Sequence, residues 1–263
     1  MQWSNVIKDE IAKLKPIRID QTLPQRLISL IDLTSLNESD TENDIAKLFE
    51  KARTSFGSVA CVCVYPKFAA LAATEFAHTN IKTATIANFP QGETALDEVL
   101  IEIADALEAG AQEIDVVFPY SRYLAGEKQY AHQFISACKA ACGDDVLLKV
   151  ILETGVLHDP AIIADAAYDA LTSGADFIKT STGKVAEGAT LEAAAVMLLV
   201  IKHAQAQLKR PLGLKVSGGI REMEQAAQYV ALADTIMGCD WVKREHFRIG
   251  ASKLVDAMIK YMG

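Results

Sequence analysis

Thr94-Ala-Leu-Asp-Glu-Val-Leu-Ile-Glu-Ile-Ala-Asp-Ala-Leu-Glu-Ala-Gly110-Ala-Gln-Glu-Ile-Asp115-Val-Val-Phe118 changes period midway, from helix to strand. In its first part Leu96, Val99, Leu100, Ile103 and Leu107 make one apolar stripe, and Asp97, Glu98, Glu102 and Asp105 fall on the face turned to water, the pattern of an amphipathic helix. Thr94 followed by Asp97 signals its start and Gly110 its end. Glu113–Phe118 then reads as a short β-branched strand.

The same unit recurs in both directions. Candidate strands are Leu27–Asp32, Val59–Tyr65, Thr83–Asn88, Glu113–Phe118, Val146–Glu153, Phe177–Thr180, Leu212–Val216 and Thr235–Val242. Helical stretches separate them, with starts at Thr41 with Asp44 and at Asp159 with Pro160, and a further stop at Gly174. Strands alternating with helices make a parallel sheet covered by helices. Eight units in 263 residues match a (β/α)8 TIM barrel. A doubly wound sheet would carry a glycine fingerprint after its first strand, and Asp32-Leu-Thr-Ser-Leu-Asn37 has no glycine. The expectation is a single TIM-barrel catalytic domain over residues 1–263. Residues 1–25 form an N-terminal extension in which Val6, Ile7, Ile11 and Leu14 suggest an extra helix packed on the barrel.

Gly110-Ala-Gln-Glu-Ile-Asp115 and Gly174-Ala-Asp-Phe-Ile-Lys179 share one layout, a helix end followed by a strand with a charge five positions on. Equivalent units would bring Asp115 and Lys179 to similar levels inside the barrel, two strands apart. The fourth to seventh strands each carry a charge within an apolar run: Asp115, Lys149, Lys179 and Lys215. Buried ions cost several kcal/mol unless paired, and a cluster near strand C-termini reads as an active site. Lys179 and Lys215 each suit an imine-forming amine. A second ammonium at ~6 Å, at an effective dielectric of ~20, disfavours the first by about 3 kcal/mol, roughly two pKa units. Periodicity leaves open which lysine is the nucleophile and which the perturbing cation. Asp115 is the natural proton shuttle.

Three small tracts suit a phosphate: Gly183-Lys184, Ser217-Gly218-Gly219 and Gly250-Ala-Ser252, the last preceding a helix over Lys253–Met262 that Ser252 could cap. A net charge of −8 argues against nucleic acid or an anionic membrane as partner, so an anion site must be a local basic pocket. Composition is that of a soluble protein, 51% hydrophobic and 23% charged. No apolar run has the length of a membrane span, and the start, Met1 to Glu10, carries charges where a signal peptide needs an apolar stretch; the expected location is cytoplasmic. Cys61, Cys63, Cys138, Cys142 and Cys239 are read as buried or free thiols, Cys63 being the one that could line a pocket. His78, His132 and His203 are placed on helices, His158 at a helix start and His246 past the last strand, without metal-ligand spacing. No metal and no cofactor are expected.

At these residues the chain resembles the deoxyribose-phosphate aldolase family. The matching segments are Asp32-Leu-Thr-Ser-Leu36, Val62-Cys-Val-Tyr-Pro66, Ala87-Asn-Phe-Pro90, Glu113-Ile-Asp-Val-Val-Phe-Pro119, Leu148-Lys-Val-Ile-Leu-Glu-Thr154, Phe177-Ile-Lys-Thr-Ser-Thr-Gly183, Lys215-Val-Ser-Gly-Gly-Ile-Arg221 and Arg248-Ile-Gly-Ala-Ser252. The resemblance implies Lys179 as the Schiff-base lysine, Lys215 as the lysine that lowers its pKa, and Asp115 as the acid–base residue. It implies Gly183, Lys184, Gly218, Gly219 and Ser252 at the phosphate, Thr182 and Asp32 near the sugar hydroxyls, and Lys149 as a further pocket lysine. The partners implied are a small-molecule sugar phosphate and aldehydes, and the oligomeric state a monomer or homodimer. Two departures stand out. Lys253 follows Ser252 where some relatives have a second serine, and the chain stops at Gly263, where some relatives continue to a tyrosine that assists proton transfer; Tyr261 falls within the expected last helix. Another imine-forming sugar-phosphate aldolase or transaldolase is the nearest rival, and a non-catalytic sugar-phosphate sensor the rival of another class.

Overall fold

Alternation along each strand sorts the chain into two layers. The structure, a computed structural model, describes residues 3–17 and 19–262. Eight parallel strands close into a barrel: β1 (Ile31–Ser35), β2 (Cys61–Val64), β3 (Lys82–Ala87), β4 (Glu113–Val117), β5 (Leu147–Ile151), β6 (Phe177–Lys179), β7 (Gly213–Ser217) and β8 (Phe247–Ala251), with β8 pairing back onto β1. Leu33, Val62, Val64, Ile114, Val116, Leu148, Val150, Ile178, Leu214, Val216 and Ile249 pack with the surrounding helices in the main core. The residues between them turn inward, as a period of two requires. Part of that interior is apolar, where Cys61, Cys63, Ala84 and Ile86 cluster with Leu36 and Ala60. The rest is charged.

Among the described residues, twelve α-helices surround the strands: α1 (Trp3–Ala12), α2 (Leu23–Ile28), α3 (Glu42–Glu50), α4 (Ala69–Phe76), α5 (Leu96–Glu108), α6 (Tyr120–Leu124), α7 (Lys128–Cys142), α8 (Thr154–Leu157), α9 (Pro160–Thr172), α10 (Leu191–Leu208), α11 (Met223–Met237) and α12 (Leu254–Met262). The expected (β/α)8 barrel is therefore present, with its extra N-terminal helix: α1 packs on α9, α10 and α11, with Ile7 buried and Ile11 and Leu14 against the core. Among the described residues no helix is long and apolar enough to cross a membrane.

Several expectations are corrected. The Thr235–Val242 segment is not a strand. Ala226, Tyr229, Val230, Ala233 and Ile236 keep helical spacing, so α11 runs on through Thr235 to Met237 before a 3-10 turn at Cys239–Trp241; the eighth strand is Phe247–Ala251, and His246 precedes it. The first strand begins later than Leu27, because Pro24 at the first turn starts α2 and carries Leu27 and Ile28 into a helix. Thr94 is no cap: α5 starts at Leu96 after Ala95, and the Thr94 N–H is donated to Asn88 Oδ1 at 2.9 Å. Glu102, placed on the solvent face, is half-buried and its Oε2 accepts the Asn88 N–H at 2.8 Å. His78 lies in the turn after α4 rather than on it. The other two starts hold, with a reciprocal Thr41–Asp44 capping box on α3 and Asp159 capping α9 before Pro160. Gly213 shows how tightly the interior fills: a Cβ there would lie 2.3 Å from the Phe177 ring.

Candidate active site

One carboxylate gathers the lysines of three strands. Asp115 Oδ1 lies 2.7 Å from Lys149 Nζ, and its Oδ2 lies 2.8 Å from Lys179 Nζ and 2.7 Å from Lys215 Nζ. Register explains the meeting. Asp115 pairs across β4–β5 with Lys149, Ile151 across β5–β6 with Lys179, and Lys179 across β6–β7 with Lys215. The two-strand separation expected for Asp115 and Lys179 ends in direct contact.

Beneath this trio lies a second tier that the sequence reading did not assign. Arg248 spans Glu113, at 2.9 Å from NH2 to Oε1, and Asp32, at 2.7 Å from NH1 to Oδ1. Lys149 also reaches Glu113 Oε2 at 2.8 Å and Asp32 Oδ2 at 3.7 Å, and Lys215 reaches Asp32 Oδ2 at 2.7 Å. Every member is buried. Arg248 stood in a matching segment but was given no role, because the eighth strand was misplaced. Glu113 had a usable signal, since it sits two residues before Asp115 in one strand and so faces the same side.

The charge count of this network is unequal. Four cations (Lys149, Lys179, Lys215 and Arg248) face three carboxylates (Asp32, Glu113 and Asp115). Loss of one proton from one lysine balances it. Lys149 touches three carboxylates and Lys215 two, whereas Lys179 touches only Asp115. Lys179 is accordingly the cation held below the ordinary lysine value, by burial first, against the pull of Asp115, with the Lys215 ammonium adding to the fall. Burial acts on Lys215 and Lys149 too, yet their carboxylates overcome it and hold both above the ordinary value. Burial likewise opposes ionisation of Asp115, but Lys149, Lys179 and Lys215 draw its carboxyl well below the usual range.

The upper tier opens into a cavity of about 580 Å³. Lys179, Lys215, Thr182, Gly183, Lys184, Gly218, Gly219 and Ser252 all line it. Asp115 lies one hydrogen bond behind that wall. Asp32 and Lys149 lie deeper, off the wall and inside the ion network. Cys63 is buried and off the wall as well. Lys184 Nζ crosses the mouth to the Leu36 carbonyl at 2.5 Å. Gly218 and Gly219 adopt φ of 91° and 84°, the left-handed region open to glycine, and Gly218 packs so closely on Gly188 that a Cβ on Gly188 would lie 2.3 Å from the Gly218 carbonyl oxygen. Thr34, Ser35, Asn37 and Lys253 complete much of the rim. Tyr261 lies on α12, half exposed and off this wall.

Asp32, Cys61 and Glu113 bring three potential metal ligands within 4.8 Å of one another. Arg248 already engages both carboxylates, and burial pushes the Cys61 thiol well above its ordinary value. The arrangement is an ion network, not a cage for a cation.

The network should make stability acid-sensitive. The carboxyls of Asp32, Glu113 and Asp115 are all lowered by the folded state: burial opposes ionisation, and the facing lysines and Arg248 overcome it. Their stabilisation is complete above the unfolded values, about 3.9–4.3, and is lost as pH falls from there toward the folded values. The urea midpoint should hold near neutrality and drop progressively below about pH 4. A midpoint that stays level to about pH 3 would contradict the pairing described.

Residues 26–247 match the family described as DeoC/LacD family aldolase. Among solved structures, a chain from Coccidioides immitis assigned as a deoxyribose-phosphate aldolase is 28% identical with a TM-score of 0.80, covering 100% of this chain and 97% of that one. One from Toxoplasma gondii with the same assignment is 25% identical with a TM-score of 0.83, covering 92% and 93%. A tetrameric deoxyribose phosphate aldolase from Aeropyrum pernix, 24% identical over 99% and 98%, shares the fold with a TM-score of 0.74.

Proposed function

The chain belongs to the DeoC/LacD family of aldolases, and from that premise we propose that it cleaves 2-deoxy-D-ribose 5-phosphate reversibly to D-glyceraldehyde 3-phosphate and acetaldehyde, through a Schiff base on Lys179. The observation that carries this reading is the unequal network: four buried cations against three carboxylates, with Lys179 the least paired and its amine on the cavity wall. A neutral amine is the nucleophile a carbonyl needs.

In the proposed cycle the Lys179 amine adds to the C1 aldehyde of the open-chain sugar. Loss of water from the adduct gives an iminium ion, the proton for the departing hydroxyl coming from the Asp115–Lys215 pair. The C3 hydroxyl then returns a proton to the Asp115–Lys215 pair as the C2–C3 bond breaks. Those bonding electrons flow to the iminium nitrogen, leaving an enamine and releasing glyceraldehyde 3-phosphate. Protonation of the enamine at its terminal carbon and hydrolysis return acetaldehyde and free Lys179. The iminium nitrogen is itself the electron sink, so the scheme draws on no metal or organic cofactor. Gly183, Lys184, Gly218, Gly219 and Ser252, on one side of the same cavity, are proposed to hold the phosphate with backbone N–H groups and one ammonium. Asp32 is assigned a different part from the hydroxyl contact expected of it: fully buried against Lys215 and Arg248, it fixes the charge of Lys215.

Borohydride reduction in the presence of acetaldehyde tests the proposal. The expected product is an ethyl adduct on Lys179, located by peptide mass mapping and slow to form in Lys215→Ala. An adduct on Lys215 would reverse the lysine assignment and leave the reaction class standing. A folded protein with no specific adduct would sink the imine mechanism.

A further inference from the structure

Among the described residues, Glu153 is the one buried carboxylate outside the ion-paired network. It follows β5, is fully buried, and has a φ of 56°, a left-handed conformation that a residue other than glycine keeps only when its surroundings impose it. Among the described residues no cation lies within 4.0 Å of its carboxylate. Burial raises its carboxyl above the ordinary value, against the hydrogen bonds from Thr182 and a smaller pull from the more distant Lys179 ammonium. A buried carboxylate held under these terms calls for a reason.

The reason lies in the segment after β6. Glu153 Oε1 and Oε2 each lie 3.3 Å from the Thr182 N–H nitrogen, and Oε2 accepts the Thr182 hydroxyl at 2.5 Å. Thr182 Oγ1 in turn accepts the Lys184 N–H at 3.0 Å. Residues 180–189 are pinned at both ends by other contacts. Near the start, Thr154 N–H is donated to the Thr180 carbonyl at 2.8 Å, and Ser217 Oγ to the Ser181 carbonyl at 2.6 Å. Near the far end, Ala189 N–H is donated to the Gly218 carbonyl at 3.1 Å, and Gly155 leaves room for the Glu187 carbonyl oxygen, which lies 2.2 Å from where a Cβ would stand. Between these pins, Thr182-Gly183-Lys184 is held through Glu153 and through the Lys184 Nζ bond to Leu36. Both Thr182 groups facing Glu153 are donors, which an ionised carboxylate satisfies with two oxygens.

We propose that Glu153 is a positioning residue for phosphate selection: acting through Thr182, it sets the backbone of Gly183 and Lys184 where the anion binds. This rests on the reading of Gly183 and Lys184 as phosphate ligands. Glu153 itself is not on the cavity wall. A carboxylate suits this place because both its oxygens accept; an amide of the same size with its oxygen at the Oε2 position loses the charge behind the Thr182 bonds and sets an NH2 group 3.3 Å from the Thr182 N–H nitrogen.

Glu153→Gln keeps volume and removes a buried charge, so the variant is expected to fold, as a thermal melt would verify. The test compares kcat/KM for 2-deoxyribose 5-phosphate with kcat/KM for unphosphorylated 2-deoxyribose. The ratio of the two should fall roughly ten- to a hundredfold, carried by KM for the phosphorylated sugar, as expected for a charge-assisted hydrogen bond lost behind the ligands. Inorganic phosphate, titrated calorimetrically, should weaken by a similar factor, and Thr182→Val should reproduce both losses. The calorimetric arm needs no turnover: weakened phosphate binding in a protein that leaves 2-deoxyribose 5-phosphate uncleaved would uphold Glu153 and remove the substrate assignment. Equal losses on both sugars, or phosphate affinity unchanged in either variant, would overturn the proposal.

Discussion

Lys179→Met should yield a folded barrel with retro-aldol turnover reduced roughly 10⁴- to 10⁶-fold, the scale of removing a covalent nucleophile. The argument from charge adds an unusual second expectation. With Lys179 neutral, the interior holds three cations against three carboxylates, and methionine at 179 preserves that balance. Asp115 keeps its Lys149 and Lys215 contacts without Lys179, so the substitution orphans no buried carboxylate. The urea midpoint should therefore equal or exceed that of the parent. Lys179→Arg makes the contrasting case, since a guanidinium cannot shed its proton and fixes the count at four against three; that variant should be the less stable of the two. A parent-like turnover in Lys179→Met would move the nucleophile elsewhere. An unfolding free energy lowered by several kcal/mol, the scale of an orphaned buried charge, would mean that Lys179 is a structural cation and that the charge count has been read wrongly.

The charge count is also where sequence and structure part company. Asp115, Lys149, Lys179 and Lys215 were legible because a charge inside a β-branched run has few tolerable destinations, and the barrel interior near the strand ends is one. The barrel itself was legible from eight changes of period, despite two misplaced strands. What stayed hidden was the lower tier. Thr235, Ile236, Trp241 and Val242 are good strand formers, yet Ile236 belongs to the helical stripe that starts at Met223, and local β-preference yields to such packing. Misplacing that strand left Arg248, quoted only within a matching segment, off the barrel wall, and with it the partner that draws Asp32 and Glu113 into the network. Asp32 then looked free to meet a sugar hydroxyl. Its burial against Lys215 and Arg248 depends on the stagger between β1, β7 and β8, which no single segment records. Glu153 was quoted within a matching motif but left without a role, because its partner Thr182 is 29 residues away in the chain. Pairings of that kind are set by closure of the sheet, and a one-dimensional period cannot hold them.

Asp115→Asn should be the most disruptive single substitution in the interior, for a reason distinct from the loss of a nucleophile. Asp115 is the carboxylate shared by Lys149, Lys179 and Lys215, and removing it leaves at least three cations facing Asp32 and Glu113 alone. Breaking a buried pair in this way costs about 3–5 kcal/mol. The lysines can relieve part of that by releasing protons, so the cost should shrink as pH rises and the lysines neutralise. The sign follows from linkage: an ammonium that loses its carboxylate has its folded pKa depressed, the unfolded chain binds more protons between the depressed value and about 10.4, and stability climbs with pH across that interval. Turnover should fall roughly 10²- to 10⁴-fold, the range for a general acid–base group. The loss should persist at alkaline pH as at neutral pH, because removing Asp115 takes away the pull that favours the charged form of Lys179 and leaves its amine more readily neutral. Persistence distinguishes a proton shuttle from a mere holder of charge, because a holder becomes dispensable once the lysine has lost its proton. If alkaline conditions restored turnover in Asp115→Asn to the parental rate, Asp115 would be confined to electrostatic support and the protons would have to travel by way of Lys215. If the variant instead formed the borohydride-trapped adduct readily yet failed to turn over, the shuttle would be located after imine formation, at the carbon–carbon bond and at the enamine.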